Sequence, residues 1–248
     1  MTALRSALFA ILAVLWTLVL GIAYLPLLVL PRRAMQRLAA FWCRGLIALA
    51  RLCCGLRWRL EGAEYLPQGA AIIVSKHQSA WETLAFHLLF KDPVYVLKRE
   101  LLALPLVGWY LRKTGNIAID RAAGASALRR MLPAAQAALA HGSQLIVFPE
   151  GTRTLPGSRR RYQPGIAALY ERAGAVPVVP VAVNSGLFWG RRKFLKYPGL
   201  ITLQVLPPMP SGLSRAAFLA ELEQRIETAT DRLCTDAEPP SGSGPLHG

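Results

Sequence analysis

The stretch AAIIVSKHQSAWETLAFHLLF, residues 70–90, joins two kinds of chain. Its first six residues are mostly apolar, with β-branched Ile72, Ile73 and Val74 in a row, the composition of a strand buried on both faces. Its last ten read as a short helix. A buried strand feeding directly into a helix is the repeating unit of an α/β sheet. The alternation continues downstream, with strand-like VYVLK (94–98), NIAID (116–120), QLIVF (144–148), VVPVAV (178–183) and LITLQVL (200–206). Helix-like LLALPLVGWYLRK, SALRRMLPAAQAALA and GIAALYERA lie between them, with Pro133 an awkward guest in the second. SRAAFLAELEQRIETATDRL is a terminal amphipathic helix. These runs predict an α/β domain over residues 57–234, a mixed sheet flanked by helices. The tail, residues 235–248, has the composition of disorder.

Upstream, residues 6–30 (SALFAILAVLWTLVLGIAYLPLLVL) carry no charge. As a helix they extend about 37 Å, more than the ~30 Å hydrocarbon core of a bilayer, with Pro26 placed to bend or end it. The run exceeds the about 7–15 residues of a signal-peptide core, and no clear cleavage site follows. Arg32, Arg33 and Arg37 come after it, while only Arg5 and the amino terminus precede it. That bias keeps everything after residue 31 on the cytoplasmic side, at the inner membrane if the source is bacterial. In AMQRLAAFWCRGLIALARLCCGL, arginines recur at 37, 44 and 51, a basic stripe on an apolar body suited to the headgroup region. Residues 1–56 are therefore expected to form membrane helices. One spanning and one interfacial helix, or two dipping into one leaflet, both fit.

The 248 residues are 53% hydrophobic with a formal net charge of +15, and the mean hydropathy is +0.33. A basic balance fits nucleic acid, anionic lipid or phosphorylated substrates. Residues 1–60 hold eight arginines and no Asp or Glu, threaded through Leu, Ala, Trp and Cys. That pattern belongs to an anionic membrane surface, so no nucleic-acid partner is expected. Cys43, Cys53, Cys54 and Cys234 have neither C-x-x-C spacing nor a nearby histidine, which points to no disulfide framework and no zinc site. The first three read as small apolar residues on a membrane-facing helix.

His77 follows the buried strand, where α/β proteins place ligand-binding residues. Five residues along a helix is about 500°, so His77 and Glu82 meet only if His77 sits in the strand-to-helix turn and Glu82 in the first helical turn. Ser79 followed by Glu82 has capping-box spacing, which would start the helix at Ala80. Glu82 as a plain helix cap and Glu82 as the partner of His77 are both compatible with these residues. FPEGTRT (148–154) follows another strand. Its Pro149, Gly151 and Thr152 make a tight turn whose N–H groups could face an anion, and Arg153 supplies a bidentate phosphate contact. Lys98 and Arg121 end two further strands. Cations at neighbouring strand ends make a phosphate pocket more economical than scattered surface charge.

Four blocks in this order resemble the 1-acylglycerol-3-phosphate acyltransferase family (lysophosphatidic acid acyltransferases). They are HQSAWE for the family's H-x-x-x-x-D, KRELLALPLVGWYLRKTGNIAIDR, FPEGTRT, and the apolar VPVVPVAVN. The resemblance covers about residues 70–185 and the amino-terminal helices. Departures are Glu82 where Asp is usual, Lys76 where Asn is common, and YQPGI where a lysine-containing stretch is frequent. The resemblance implies acyl transfer from acyl-CoA or acyl carrier protein to the sn-2 hydroxyl of a lysophospholipid acceptor, giving phosphatidic acid. It implies His77 as general base oriented by Glu82, and Glu150, Gly151, Thr152 and Arg153 at the acceptor. Lys98 and Arg121 are added here as phosphate ligands. Membrane lipid is the expected surroundings, and neither metal nor cofactor is called for. Other lyso-lipid acceptors, such as a lyso-ornithine lipid, and a catalytically inactive membrane-binding protein are the alternatives.

Overall fold

Side-chain alternation along one strand sets the layers. In the computed structural model, which describes residues 1–120 and 124–237, β2 (Ala71–Ser75) is buried throughout. Ile73 points into one apolar cluster, while Ile72 and Val74 point into the other. A period of two therefore feeds two cores, one on each face of the sheet. The first core is covered by α2 (Arg32–Cys54) and α3 (Trp81–Leu89). The second is covered by α5 (Ala125–Ala140), α6 (Gly165–Ala173) and α7 (Arg215–Thr235), while the short α4 (Val107–Lys113) lies between β3 and β4. Pro133 is accommodated inside α5.

The sheet has seven strands in the order β1-β7-β6-β2-β5-β3-β4. Its remaining members are β1 (Leu56–Glu61), β3 (Pro93–Lys98), β4 (Ile117–Ile119), β5 (Gln144–Val147), β6 (Val178–Val183) and β7 (Gly199–Val205). Five neighbouring pairs run parallel, and β6 with β7 is antiparallel, so the sheet is mixed as expected. The six strand-like runs become strands within a residue or two of their predicted limits. β1 is an addition. Leu56, Trp58 and Leu60 face the core while Arg57, Arg59 and Glu61 alternate outward, an edge strand whose arginines belong with the basic segment in composition only.

The amino-terminal run differs in its limits and its partners. α1 (Thr2–Ala23) stops before Pro26, which opens a short 3-10 turn, Pro26–Val29. At about 1.5 Å per residue α1 is about 33 Å long, and among the described residues it is the one helix long and apolar enough to cross a membrane. α1 and α2 form an antiparallel hairpin. Arg5 Nε donates to the Cys53 carbonyl at 2.7 Å, Trp16 Nε1 to the Trp42 carbonyl at 3.1 Å, and Trp42 Nε1 to Thr17 Oγ1 at 3.2 Å. Gly45 lets the helices approach, since a Cβ there would lie 2.4 Å from the Trp16 ring.

α2 is not a purely interfacial helix. Met35, Cys43, Leu46, Ile47, Ala50, Cys53 and Cys54 are buried under the sheet, and Arg37, Arg44 and Arg51 line the exposed side. The cysteines expected to face lipid are thus core residues, because the helix face opposite the arginine stripe packs on α3 and β1. α1 keeps Leu4, Leu8, Ile11, Leu15, Leu18 and Ile22 exposed. An apolar face of that size marks membrane contact.

This division predicts how the protein is held. Apolar burial by α1 survives charge screening, so a high-salt wash is expected to leave the full chain in the membrane pellet and detergent to release it. Quantitative release by salt alone would show that the arginines, not the apolar face, carry the attachment.

Candidate active site

At the end of β2 the chain keeps one more sheet bond, Lys76 N–H to the Val181 carbonyl at 3.0 Å, and then turns away. His77 and Ser79 occupy that turn, and α3 begins at Trp81, with Ala80 already helical in φ and ψ. The Ser79 hydroxyl accepts from Trp81 N–H at 2.8 Å instead of making the expected cap one residue later. The reach-back half of the capping box is made. Glu82 Oε1 accepts from Ser79 N–H and Gln78 N–H, both at 2.7 Å. The same oxygen lies 2.9 Å from His77 Nδ1, and Oε2 accepts from the Ser185 hydroxyl at 2.7 Å. Cap and partner are one group.

Glu82 is fully buried. Burial pushes its carboxyl upward, but the His77 contact, the Ser79 N–H and the Ser185 hydroxyl outweigh it and hold the group below the usual carboxylate range. His77 stacks on Phe148 with ring centroids 3.9 Å apart, which fixes the plane of the imidazole. Nδ1 is taken by Glu82, so Nε2 is the nitrogen left for a substrate.

The FPEG turn clasps the His77 backbone from both sides. Thr154 N–H donates to the His77 carbonyl at 2.8 Å, and Glu150 Oε1 lies 3.4 Å from the His77 N–H. Behind it lies a buried charge cluster. Lys76 Nζ sits 2.8 Å from both Glu227 oxygens and 3.4 Å from Glu150 Oε1, and the Tyr162 hydroxyl donates to Glu227 at 3.0 Å. Lys76, Glu150 and Glu227 are each almost wholly buried. Burial pushes the Glu150 carboxyl up to about 7 against the pull of Lys76, and its Oε2 has no hydrogen-bond partner.

His77 borders a cavity of about 580 Å³ whose walls include Trp42, Leu84, Tyr95 and Leu111 and whose cations are Lys98, Arg153, Arg191 and Arg192. Gly151 and Thr152 line it too. A second cavity, of about 750 Å³, lies across the FPEG turn and shares Phe148, Gly151 and Thr152 with the first. The structure thus brings His77, Glu82, Lys98, Gly151, Thr152 and Arg153 together. Glu150 is close, but its carboxylate is turned to Lys76 and lines only the second cavity. Gly151 N–H bonds the Phe148 carbonyl at 3.0 Å, closing the turn. Arg121 lies outside the described residues.

His87 of α3, to which the sequence attached no functional role, also lines the first cavity, and burial lowers its pKa to about 4. Ser185, Arg191 and Arg192 escaped the sequence reading as well. The charge run after VPVVPVAVN was the available signal for the two arginines. Nothing local marks Ser185.

Residues 57–184 match the family described as Acyltransferase. Over 96% of this chain and 93% of its own length, the 1-acyl-sn-glycerol-3-phosphate acyltransferase of Pseudomonas aeruginosa is 36% identical. A lyso-ornithine lipid O-acyltransferase of the same organism is 31% identical over 78% of each chain. The crystal structure of the 1-acyl-sn-glycerophosphate acyltransferase PlsC from Thermotoga maritima shares the fold, with a TM-score of 0.77 at 22% identity, covering 94% of this chain and 95% of that one.

The raised Glu150 carboxyl gives a pH signature. A folded-state pKa near 7 against an ordinary value near 4.5 means native protein binds this proton more tightly than unfolded chain. Its stabilising effect is complete below the ordinary value and is lost as pH rises through about 7. Glu150→Gln, permanently neutral, is therefore expected to gain stability relative to the parent between about pH 4.5 and 7 and to level off above. Denaturant unfolding in detergent micelles reads this difference, and parallel curves at all pH values would refute it.

Proposed function

The chain belongs to the acyltransferase family, and from that premise we propose that it moves an acyl group from an acyl thioester, carried by coenzyme A or acyl carrier protein, to the sn-2 hydroxyl of 1-acylglycerol 3-phosphate. The product is phosphatidic acid. One observation carries this: His77 Nδ1 is held by a buried, four-times hydrogen-bonded carboxylate beside a cavity that combines cations with apolar walls.

An alcohol is a weak nucleophile at neutral pH, so its proton must leave as it attacks. His77 Nε2 takes that proton while the new C–O bond forms at the thioester carbonyl. The C–S bond then breaks, and the imidazolium returns the proton to the departing sulfur. Glu82 keeps Nδ1 protonated and offsets the imidazolium charge, as the carboxylate does in a hydrolase triad, with the acceptor hydroxyl in the serine's place. Lys98 and Arg153 hold the acceptor phosphate, and Trp42, Leu84, Tyr95 and Leu111 accept an acyl chain. Gly151 and Thr152 form the divide between the cavities, while Glu150 braces the turn from behind. α1 docks the site on the membrane, with the catalytic body on the cytoplasmic side, so the acceptor enters from the lipid layer. A lyso-ornithine headgroup is a zwitterion, its carboxylate offset by an ammonium, whereas a phosphomonoester is an uncompensated anion, so this cationic rim favours the phosphate acceptor.

His77→Ala is expected to lose roughly 10²–10⁴-fold in kcat with the fold intact. Glu82→Gln should be comparably impaired although glutamine retains the reach-back acceptor, and Glu82→Asp should fall between it and the parent. Ser79→Ala should instead cost about 0.5–2 kcal/mol of stability. Initial rates with labelled thioester and lysophosphatidate, alongside circular dichroism, separate these outcomes. Parental kcat in folded Glu82→Gln would falsify the dyad.

A further inference from the structure

The segment that joins β6 to β7 reaches the site from beyond every block quoted above. Trp189 packs edge-on against Phe9 of α1 at 5.2 Å, and Lys196 N–H donates to Ser6 Oγ at 2.9 Å. This strap ties the segment to the apolar helix and places Arg191 and Arg192 on the wall of the His77 cavity. Arg191 Nη1 donates to the Arg153 carbonyl at 2.9 Å, which spends one of its five donors and leaves the rest of the fork for another group. Among the described residues, none of the ion pairs takes up Arg153, Arg191 or Arg192. Among the described residues no carboxylate lines that cavity, although Lys98 on its wall pairs with Glu100 at 3.1 Å.

Two further facts make this more than a charged surface. Arg192 has φ +57°, a left-handed conformation that a residue with a long side chain adopts only at a cost, so the fold sets the backbone here against local preference. Clustered guanidinium groups without counter-charge also repel one another until an anion joins them. Phosphate, with three strong acceptor oxygens, matches several converging forks.

Resting on the acyl-transfer reading, we propose that Arg191 and Arg192 bind the phosphomonoester of the acceptor together with Arg153 and Lys98, and so set the preference for acceptors bearing that dianion. The hydroxyl to be acylated is then held at a fixed distance from the strap, on the side of His77. The same contact would hold the substrate at the membrane surface while its chain stays apolar.

The test uses full-length protein in mixed micelles. Arg191→Ala removes one fork. Arg192→Gly removes the other and relieves the backbone, since glycine favours φ +57°. Lys193→Ala removes an exposed cation of the same segment that does not line the cavity. Acceptor KM for lysophosphatidate is expected to rise roughly tenfold or more in the first two, with a smaller fall in kcat, and to change less than about twofold in the third. Calorimetric binding of short-chain lysophosphatidate without donor should show the same ordering. That arm reads the anion site without turnover, so a parent that binds but does not acylate marks failure of the reaction and not of the site. Parental KM and binding in both Arg191→Ala and Arg192→Gly would overturn the proposal. An equal loss in all three variants would also overturn it, by reducing the cations to general attraction for an anionic surface.

Discussion

The Glu82 carboxylate is the constraint on which the site depends. It is buried, and it receives two backbone N–H groups, one hydroxyl and one imidazole nitrogen. A carboxylate removed from water costs several kcal/mol unless its lone pairs are occupied, and here they are. The helix start, the turn after β2 and the segment after β6 are therefore set by one charge. Moving that charge would disturb all three, which is why the histidine ring is held at a fixed place on the cavity wall. One side chain thus serves the local fold and, under the proposed mechanism, the chemistry too.

Around that centre the chain solves a second problem, how to hold a loop rich in glycine and charge against the end of the sheet. Lys76 reaches Glu227 on α7 and Glu150 in the FPEG turn, so the carboxy-terminal helix is tied to the rear of the site. A buried pair of this kind adds little net stability but penalises any arrangement that parts it. On the opposite side, α2 serves both the membrane hairpin and the first core. The apolar helix is thereby fixed relative to His77, and under the proposed function a lipid acceptor would meet the base in a defined orientation.

Sequence periodicity revealed most of the fold because a sheet buried on both faces leaves continuous β-branched runs such as Ile72–Ile73–Val74. It missed β1, where Arg57 and Arg59 alternate with Leu56, Trp58 and Leu60 and look like more of the basic leader. It placed Cys43, Cys53 and Cys54 towards lipid because one apolar helix face looks the same whether a bilayer or a protein core covers it. At the candidate site, the contact between His77 and Glu82 was legible since five residues and one turn connect them. Ser185 was not, being 103 positions from the carboxylate it serves, and Glu227 lies 151 positions from Lys76. Such contacts are products of topology and have no local pattern to read.

The central claim is that Glu82 fixes the tautomer of His77 with the proton on Nδ1 and Nε2 bare towards the cavity. Nitrogen-15 NMR of histidine-labelled full-length protein in micelles, with the His77 signals assigned by their loss in His77→Ala, measures this without turnover. For the neutral ring the account predicts a protonated Nδ1 and an unprotonated Nε2, a preference lost in Glu82→Gln. A neutral His77 with its proton on Nε2, or an unchanged tautomer after Glu82→Gln, would contradict it.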